Sequence, residues 1–487
     1  MPLPPLADLR SAAAPLAAML LSFGSAVLLR QVFSLDVSVV ILAVSLSVML
    51  ARAGQRKSVR EQLVSLLVIP VVGVVGALVG YLLLTLPVVG FALFVVGVSG
   101  GVWLRRFGSV GTRIGTYVSL PFIALLVAPV AVAPTSGSGF VPWAAVVAFI
   151  AAGWALLVQL VAQRTGFIEP PRHPLPAPVG VRTDGARRVL PSTRMAAQLA
   201  VALALAFLLG HLLLGEHWPW AVITAYVVTS GNRGRGDVLY KGVQRTLGAV
   251  VGTGLATVLA LAFPAGDPWA IALIFVLLAV GTWLRGVNYA WWAGSVTAVL
   301  SLLYDYFGVG SSGLLLERIG GVLIGGTLAV ACAWFILPLR TRDVLRRRMF
   351  DSLAALSDVL GAARTAPEEL ADAVRRFDAS LAAVDQLAPT LRAADLILRV
   401  RRLEPAHGHV LRSLRECADP VAVLADAAAL PPPKLIGQVA RDVGQLRRAL
   451  AARTDPEWDA PPQTHERQAD EATLALLAID ATVRGWR

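Results

Sequence analysis

Two arginines stand at the head of one pattern, Arg245-x-x-Gly248-x-x-x-Gly252 and Arg318-x-x-Gly321-x-x-x-Gly325. Glycines at that spacing share a helix face and let a neighbouring helix come close, with the arginine read as sitting at the helix start. A guanidinium there either contacts a ligand or snorkels to a membrane interface. Around the first arginine lie Thr224, Tyr226, Thr229, Ser230 and Lys241, and an earlier short segment offers Ser38, Ser45 and Ser47. Small hydroxyl residues of this kind either line a polar site or assist helix packing. Trp283, Tyr289, Trp291 and Trp292 gather beside Arg285 and Asn288, which sets stacking faces next to positive charge, although aromatic residues also form the ordinary interfacial belt. The chemistry these residues suit is the holding of an organic, partly aromatic anion. The substrate-binding candidates are Arg245, Arg318, Thr224, Tyr226, Lys241, Asn288 and Trp291.

Other chemistry is bounded by what the chain lacks. It has no Gly-x-x-x-x-Gly-Lys-Ser/Thr loop, so no Walker-type nucleotide site, and transport would be gradient-driven or passive. Of the carboxylates near outer segment ends, Asp36, Glu216, Asp305 and Glu317, the candidate for proton coupling is Asp305, flanked by Tyr304 and Tyr306. His211 with His217, and His407 with His409, lack a His-Glu-x-x-His motif or an acidic companion cluster, and no Gly-x-Ser-x-Gly nucleophile motif occurs. The reading is therefore not an enzyme, with no metal and no cofactor. Cys332 and Cys417 are too few for a disulfide framework and are expected to be unpaired packing residues.

These residues have to be positioned by membrane helices. The chain of 487 residues is 56% hydrophobic, and its apolar residues fall in blocks about as long as a hydrocarbon core requires. The blocks are continuous rather than alternating, which excludes a barrel. Twelve are expected: 11–29, 37–51, 63–86, 88–104, 110–133, 141–161, 195–214, 218–229, 243–263, 269–284, 287–307 and 314–337. Trp103-Leu104-Arg105 recurs as Trp283-Leu284-Arg285, and a basic loop at Arg52 to Arg60 is echoed at Arg233 to Arg245, roughly 180 residues on. The second segment of each half, 37–51 and 218–229, is short, which is the sequence pointer to a transporter site. Arg and Lys crowd the loops after even-numbered segments, so those loops and both termini are read as cytoplasmic. The net charge of +12 is then topology and contact with lipid headgroups, and no nucleic acid is needed. The fold class is all-α: a polytopic membrane protein of two parallel six-helix repeats plus a C-terminal cytoplasmic helical domain. The domains are residues 1–165, a Pro- and Arg-rich cytoplasmic linker 166–193, a second membrane half 194–338, and a tail 339–487 of amphipathic helices. The two arginine motifs enter the membrane from opposite sides, three segments apart, which suggests an inverted three-plus-three repeat within the half.

The stretch Trp218-Pro-Trp-Ala-Val-Ile-Thr-Ala-Tyr-Val-Val-Thr, the basic loop to Lys241, and Arg245-Thr-Leu-Gly248-Ala-Val-Val-Gly252-Thr resemble the signature of the fusaric acid resistance and aromatic acid exporter family. The architecture is similar to that of the aluminium-activated malate transporters of plants. The first half departs from the signature at Gln62-Leu63, where an arginine is expected. The resemblance implies a bacterial inner-membrane exporter or permease of organic anions, aromatic carboxylates among them. A passive anion channel and a non-transporting membrane scaffold are the alternatives. Expected partners are the small anion and membrane lipids, with a homo-oligomer or a periplasmic adaptor left open.

Overall fold

Prolines open several of the helices, as a residue with fixed φ and no N–H to satisfy should. Pro87, Pro191, Pro219 and Pro268 each stand in the first turn, and ahead of the last of these Asp267 caps the Trp269 N–H at 2.9 Å. The computed structural model describes residues 6–35, 59–127, 140–167, 190–260, 267–285, 287–306, 314–391, 393, 414–427, 430–452 and 471–484, with 39–50 in part. The side chains of some helical residues, Gln62 and Asp305 among them, also fall outside that description. So do Asp36, Ser38, Ser45, His407 and His409, the basic loop 52–58, most of the linker and most of the expected tail helix 389–403.

Every regular element among the described residues is a helix. The helices form two compact units, one ending at Pro338 and one beginning at Leu339. In the first unit run α1 (Leu6–Phe33), α2 (Val59–Thr85), α3 (Pro87–Trp103), α4 (Gly108–Val127), α5 (Phe140–Arg164), α6 (Pro191–Leu214), α7 (Pro219–Thr229), α8 (Arg235–Ala260), α9 (Pro268–Leu284), α10 (Tyr289–Tyr306) and α11 (Leu314–Phe335). The described residues within 39–50 are helical too. Six helices are long and apolar enough to cross a membrane, and α7 and α9 are shorter apolar helices. With 11 residues, α7 rises only about 16 Å, well short of a hydrocarbon core.

The two halves of this unit share a pattern of pairing. In each, the third helix packs on the fifth and sixth, the fourth on the fifth, and the sixth on the first. Between halves, α3 meets α6 while α1 meets α9, so the fourth helix of either half lies on the first of the other. Val44 packs against a cluster that includes Val299 and Leu302 of α10, and α4 packs on α7. Side chains such as Leu67, Val88, Leu212, Val258, Leu316 and Phe335 are more than 60% exposed, an outward apolar surface that suits lipid.

The second unit is of another kind. It comprises α12 (Thr341–Thr365), α13 (Leu370–Asp385), α14 (Ala418–Asp426), α15 (Pro433–Ala452) and α16 (Glu471–Arg484), with polar outer faces. They close round one apolar core that includes Leu353, Leu356, Leu360, Phe377, Val439 and Ile479. Among its described residues only Leu474 is a large apolar side chain left exposed. Where α15 meets α16, Arg484 Nε donates to Asp480 at 2.8 Å and its Nη2 donates to Asp442 at 2.5 Å. Both carboxylates are buried, and Asp480 Oδ1 has no hydrogen-bond partner. Burial, together with a hydrogen bond shared with Asp442, pushes Asp480 up to about 6 against the pull of Arg484. Cys332 and Cys417 are both buried and unpaired. Burial, helped by Glu416, pushes the Cys417 thiol up to about 12, which leaves it unreactive as a thiolate.

Candidate functional site

Glycines pin the helices that carry the two arginines to different neighbours. On α8, a Cβ at Gly248 would stand 2.8 Å from the Ala293 Cβ and 2.9 Å from the Gly294 nitrogen, and Gly252 lies directly on the Gly294 carbonyl. On α11, a Cβ at Gly321 would stand 2.6 Å from the Trp220 Cβ, and Gly325 lies on the Ala221 carbonyl. So α8 crosses α10 backbone to backbone, and α11 crosses α7 in the same way. Read as two triplets, α6 to α8 and α9 to α11, the third helix of each packs on the second of the other. In that correspondence Ala293 is the counterpart of Trp220, whose ring lies under Arg318, while Tyr289 lies within electrostatic reach of Arg245.

Neither arginine is at a surface. Arg318 is 1% exposed and Arg245 5%. The expectation of interfacial snorkelling does not describe them, and Arg245 is not at a helix start either, because α8 begins ten residues earlier at Arg235. The motif marked the helix face correctly, but the basic loop before it is itself helical.

The two guanidinium groups are held differently. Arg318 Nη1 donates to the Thr297 carbonyl at 3.2 Å and to Ser301 Oγ, and its guanidinium carbon stands 4.2 Å from the Trp220 ring centroid. Ser301 Oγ also donates to the Thr297 carbonyl at 3.1 Å, so acceptors from α10 and a π-face from α7 converge on one cation. Arg245 and Arg285 each lie within electrostatic reach of Tyr289, and Arg245 Nε is buried without a hydrogen-bond partner among the described residues. Burying a cation with an unsatisfied donor costs several kcal/mol unless an acceptor arrives. Further unanswered polar atoms lie on the same helices: Thr224 Oγ1 on fully buried α7 backbone neighbours, and Thr253 Oγ1 on α8.

The remaining candidates are scattered. Lys241 pairs with Asp237 at 2.9 Å and donates to the Ser230 and Gly231 carbonyls, so it ties down the loop between α7 and α8. Tyr226 shares a side-chain hydrogen bond with Ser230 in that same region. Asn288 Oδ1 accepts from the Ala290 N–H at 2.8 Å and so caps α10. Trp291 is 52% exposed and faces out of the bundle. Asp305 lies in the last turn of α10. Glu317 meets His217 Nδ1 at 2.6 Å, a link from α11 to the turn before α7. Trp220, Thr297 and Ser301 were not singled out by sequence. The signal for two of them is a helical i, i+4 pair of hydroxyl residues on a segment rich in aromatics.

Charge is distributed unequally between the halves. The buried charged residues described in the first unit are Asp237, Arg245 and Arg318, all in the second half. Those buried and polar in the first half are Ser22, Ser47, Ser99, Ser119 and Gln159, none of them charged.

Residues 201–332 match the model of a family described as fusaric acid resistance protein-like. Over those residues the second half is similar to that family. The match takes in both arginines, both glycine pairs and Trp220. No curated protein matches the chain. This family is one of membrane transporters, and together with the long apolar helices it makes the chain an integral membrane protein.

Proposed function

We propose that this chain is a gradient-driven exporter or permease of organic anions, with aromatic carboxylates as the favoured class, in a bacterial inner membrane. The observation that carries the reading is Arg245: a cation buried inside the helix bundle, within electrostatic reach of Tyr289, with a donor that no group among the described residues answers. A carboxylate fits that vacancy in charge and in geometry, because a guanidinium offers parallel donors to two oxygens. Tyr289 adds an aromatic face and a hydroxyl, and Thr224 a buried hydroxyl on the facing side.

In this reading the first unit crosses the membrane twelve times as two parallel halves, and the second unit lies in the cytoplasm with both termini. The reciprocal pairing of the halves and the contrast between the outward faces of the two units support it. Asp305, near the end of α10, serves as the proton-coupling carboxylate.

The test uses purified chain in proteoliposomes, with labelled benzoate and malate as probes. Arg245→Ala is expected to lower the initial rate at least about tenfold while the folded yield is kept, since a charge-assisted bond to the anion is lost. Arg245→Lys should recover part of the rate. A proton gradient should drive accumulation, and Asp305→Asn should abolish that dependence while downhill flux persists. Unchanged flux in well-folded Arg245→Ala overturns the site. Wild-type flux that follows the anion's own electrochemical gradient, indifferent to the proton gradient at fixed voltage, replaces the exporter with a channel.

A further inference from the structure

The correspondence between the two triplets exposes a difference between the arginines. The shift that sets Ala221 against Gly294 also sets Thr224 against Thr297 and Val228 against Ser301. At the Arg318 end those positions supply a carbonyl and a hydroxyl to the guanidinium. At the Arg245 end Val228 is packed in an apolar cluster with Val238, Ala329 and Ala333. Thr224 Oγ1 has no hydrogen-bond partner among the described residues, and Ala293 stands in the place of Trp220. The cluster that holds Arg318 therefore has no equivalent around Arg245.

We propose that Arg318 is a latch and not a ligand: with Ser301 as its positioning residue and Trp220 as its seat, it closes one end of the anion path, and Arg245 takes the anion. The proposal rests on the transport reading for its purpose, although the latch itself is a matter of packing and bonds. Arg318 ties α11 to α10 through Thr297 and Ser301, and to α7 through Trp220. Opening that end requires α10 to part from α11 and α7, which breaks the bonds from Arg318 to α10. Ser301 is the pivot, because its oxygen accepts from Arg318 while its hydrogen goes to the Thr297 carbonyl. Arg245 has no such cage: Val228 and Ala293 stand where Ser301 and Trp220 hold Arg318.

Accessibility tests the latch without reference to any substrate. Thr253 follows Gly252, which lies on Gly294 one turn before Thr297, and it is buried at 5% exposure. The full chain carries Cys332→Ala, Cys417→Ala and Thr253→Cys, and a membrane-impermeant thiol reagent is added to either side of the membrane. The introduced thiol should react slowly. Adding Ser301→Ala should speed the reaction about tenfold, the factor for one lost hydrogen bond to a charged group. Ser301→Thr, which keeps the hydroxyl, should restore slow labelling. In benzoate flux, Ser301→Ala should change Vmax with KM kept, whereas Arg245→Lys should raise KM. Labelling indifferent to Ser301→Ala in a chain with unchanged membrane yield overturns the proposal, as does a rise in KM with Arg318→Lys that matches Arg245→Lys. If Ser301→Ala does not reach the membrane, Trp220→Phe is judged by the same labelling rates, because it keeps the ring packing and weakens the cation–π contact. If the unaltered chain moves no benzoate while labelling responds as expected, the transport reading falls and the latch stands.

Discussion

A charge inside an apolar bundle has to be answered by something, and the identity of the answering group separates residues that the sequence alone makes equivalent. Arg245 and Arg318 share one motif, and both were legible as candidates, yet only the fold shows that Ser301, Thr297 and Trp220 gather on one of them alone. The partners come from α10 and α7, and no local spacing announces them. The same holds in the second unit. The i, i+4 pair Asp480 and Arg484 can be read from the chain, but Asp442 arrives from another helix and forces two carboxylates to share one guanidinium. Because the folded state holds the Asp480 proton up to about 6, above its ordinary value of 3.8, the folded state binds protons more tightly than the unfolded. Stability from this group is therefore full below pH 4 and is lost as pH rises through about 6. Hydrogen exchange of α16 in the detergent-solubilised chain, corrected for intrinsic rates, should show more protection at pH 5 than at pH 7.5. Asp480→Asn should flatten that difference, and an unchanged pH response in the variant would remove Asp480 as its source.

At the scale of elements, helices were the most legible part because continuous apolar runs allow nothing else at membrane depth. The boundaries of α2, α3 and α9 fall within a few residues of the expected blocks. The start of α8 was missed because its first turns are basic and polar, and Asp237 with Lys241 sustains the helix there by an i, i+4 pair rather than by burial in oil. The short α7 was read correctly from length alone. Glycine spacing indicated that helices approach closely, but not which ones. Gly252→Val should drive α8 off α10, with a cost of about 1–3 kcal/mol or more from overpacking. Gly254→Val on the same helix, where a Cβ meets nothing within 4 Å, should be tolerated. Monodisperse yield in size-exclusion chromatography reads both. Equal behaviour of the two variants would deny that the crossing is tight.

For the molecule as a whole, charge asymmetry predicts topology more directly than any contact does. A reporter fused at Gly180 or after Arg487 should report the cytoplasm, and one inserted at Gly137 the outside. A cytoplasmic signal at Gly137 would dismantle the count of twelve crossings. Repeated residues suggest duplication and the two halves share a pattern of helix pairing, but the inequality of the halves became plain only with burial. The crossings at Gly252 and Gly325 have a mechanical consequence. Backbones in direct contact cannot slide past each other without unpacking, so α8 with α10, and α11 with α7, each move as one stiff rod. The seam between the rods is looser, since a Cβ at Gly242 would meet Val330 Cγ2 at 3.5 Å and Val228 Cγ1 at 3.8 Å, ordinary van der Waals contact. Shear in this half is thereby confined to a greased plane, with the bonds from Arg318 to α10 acting as a pin across it.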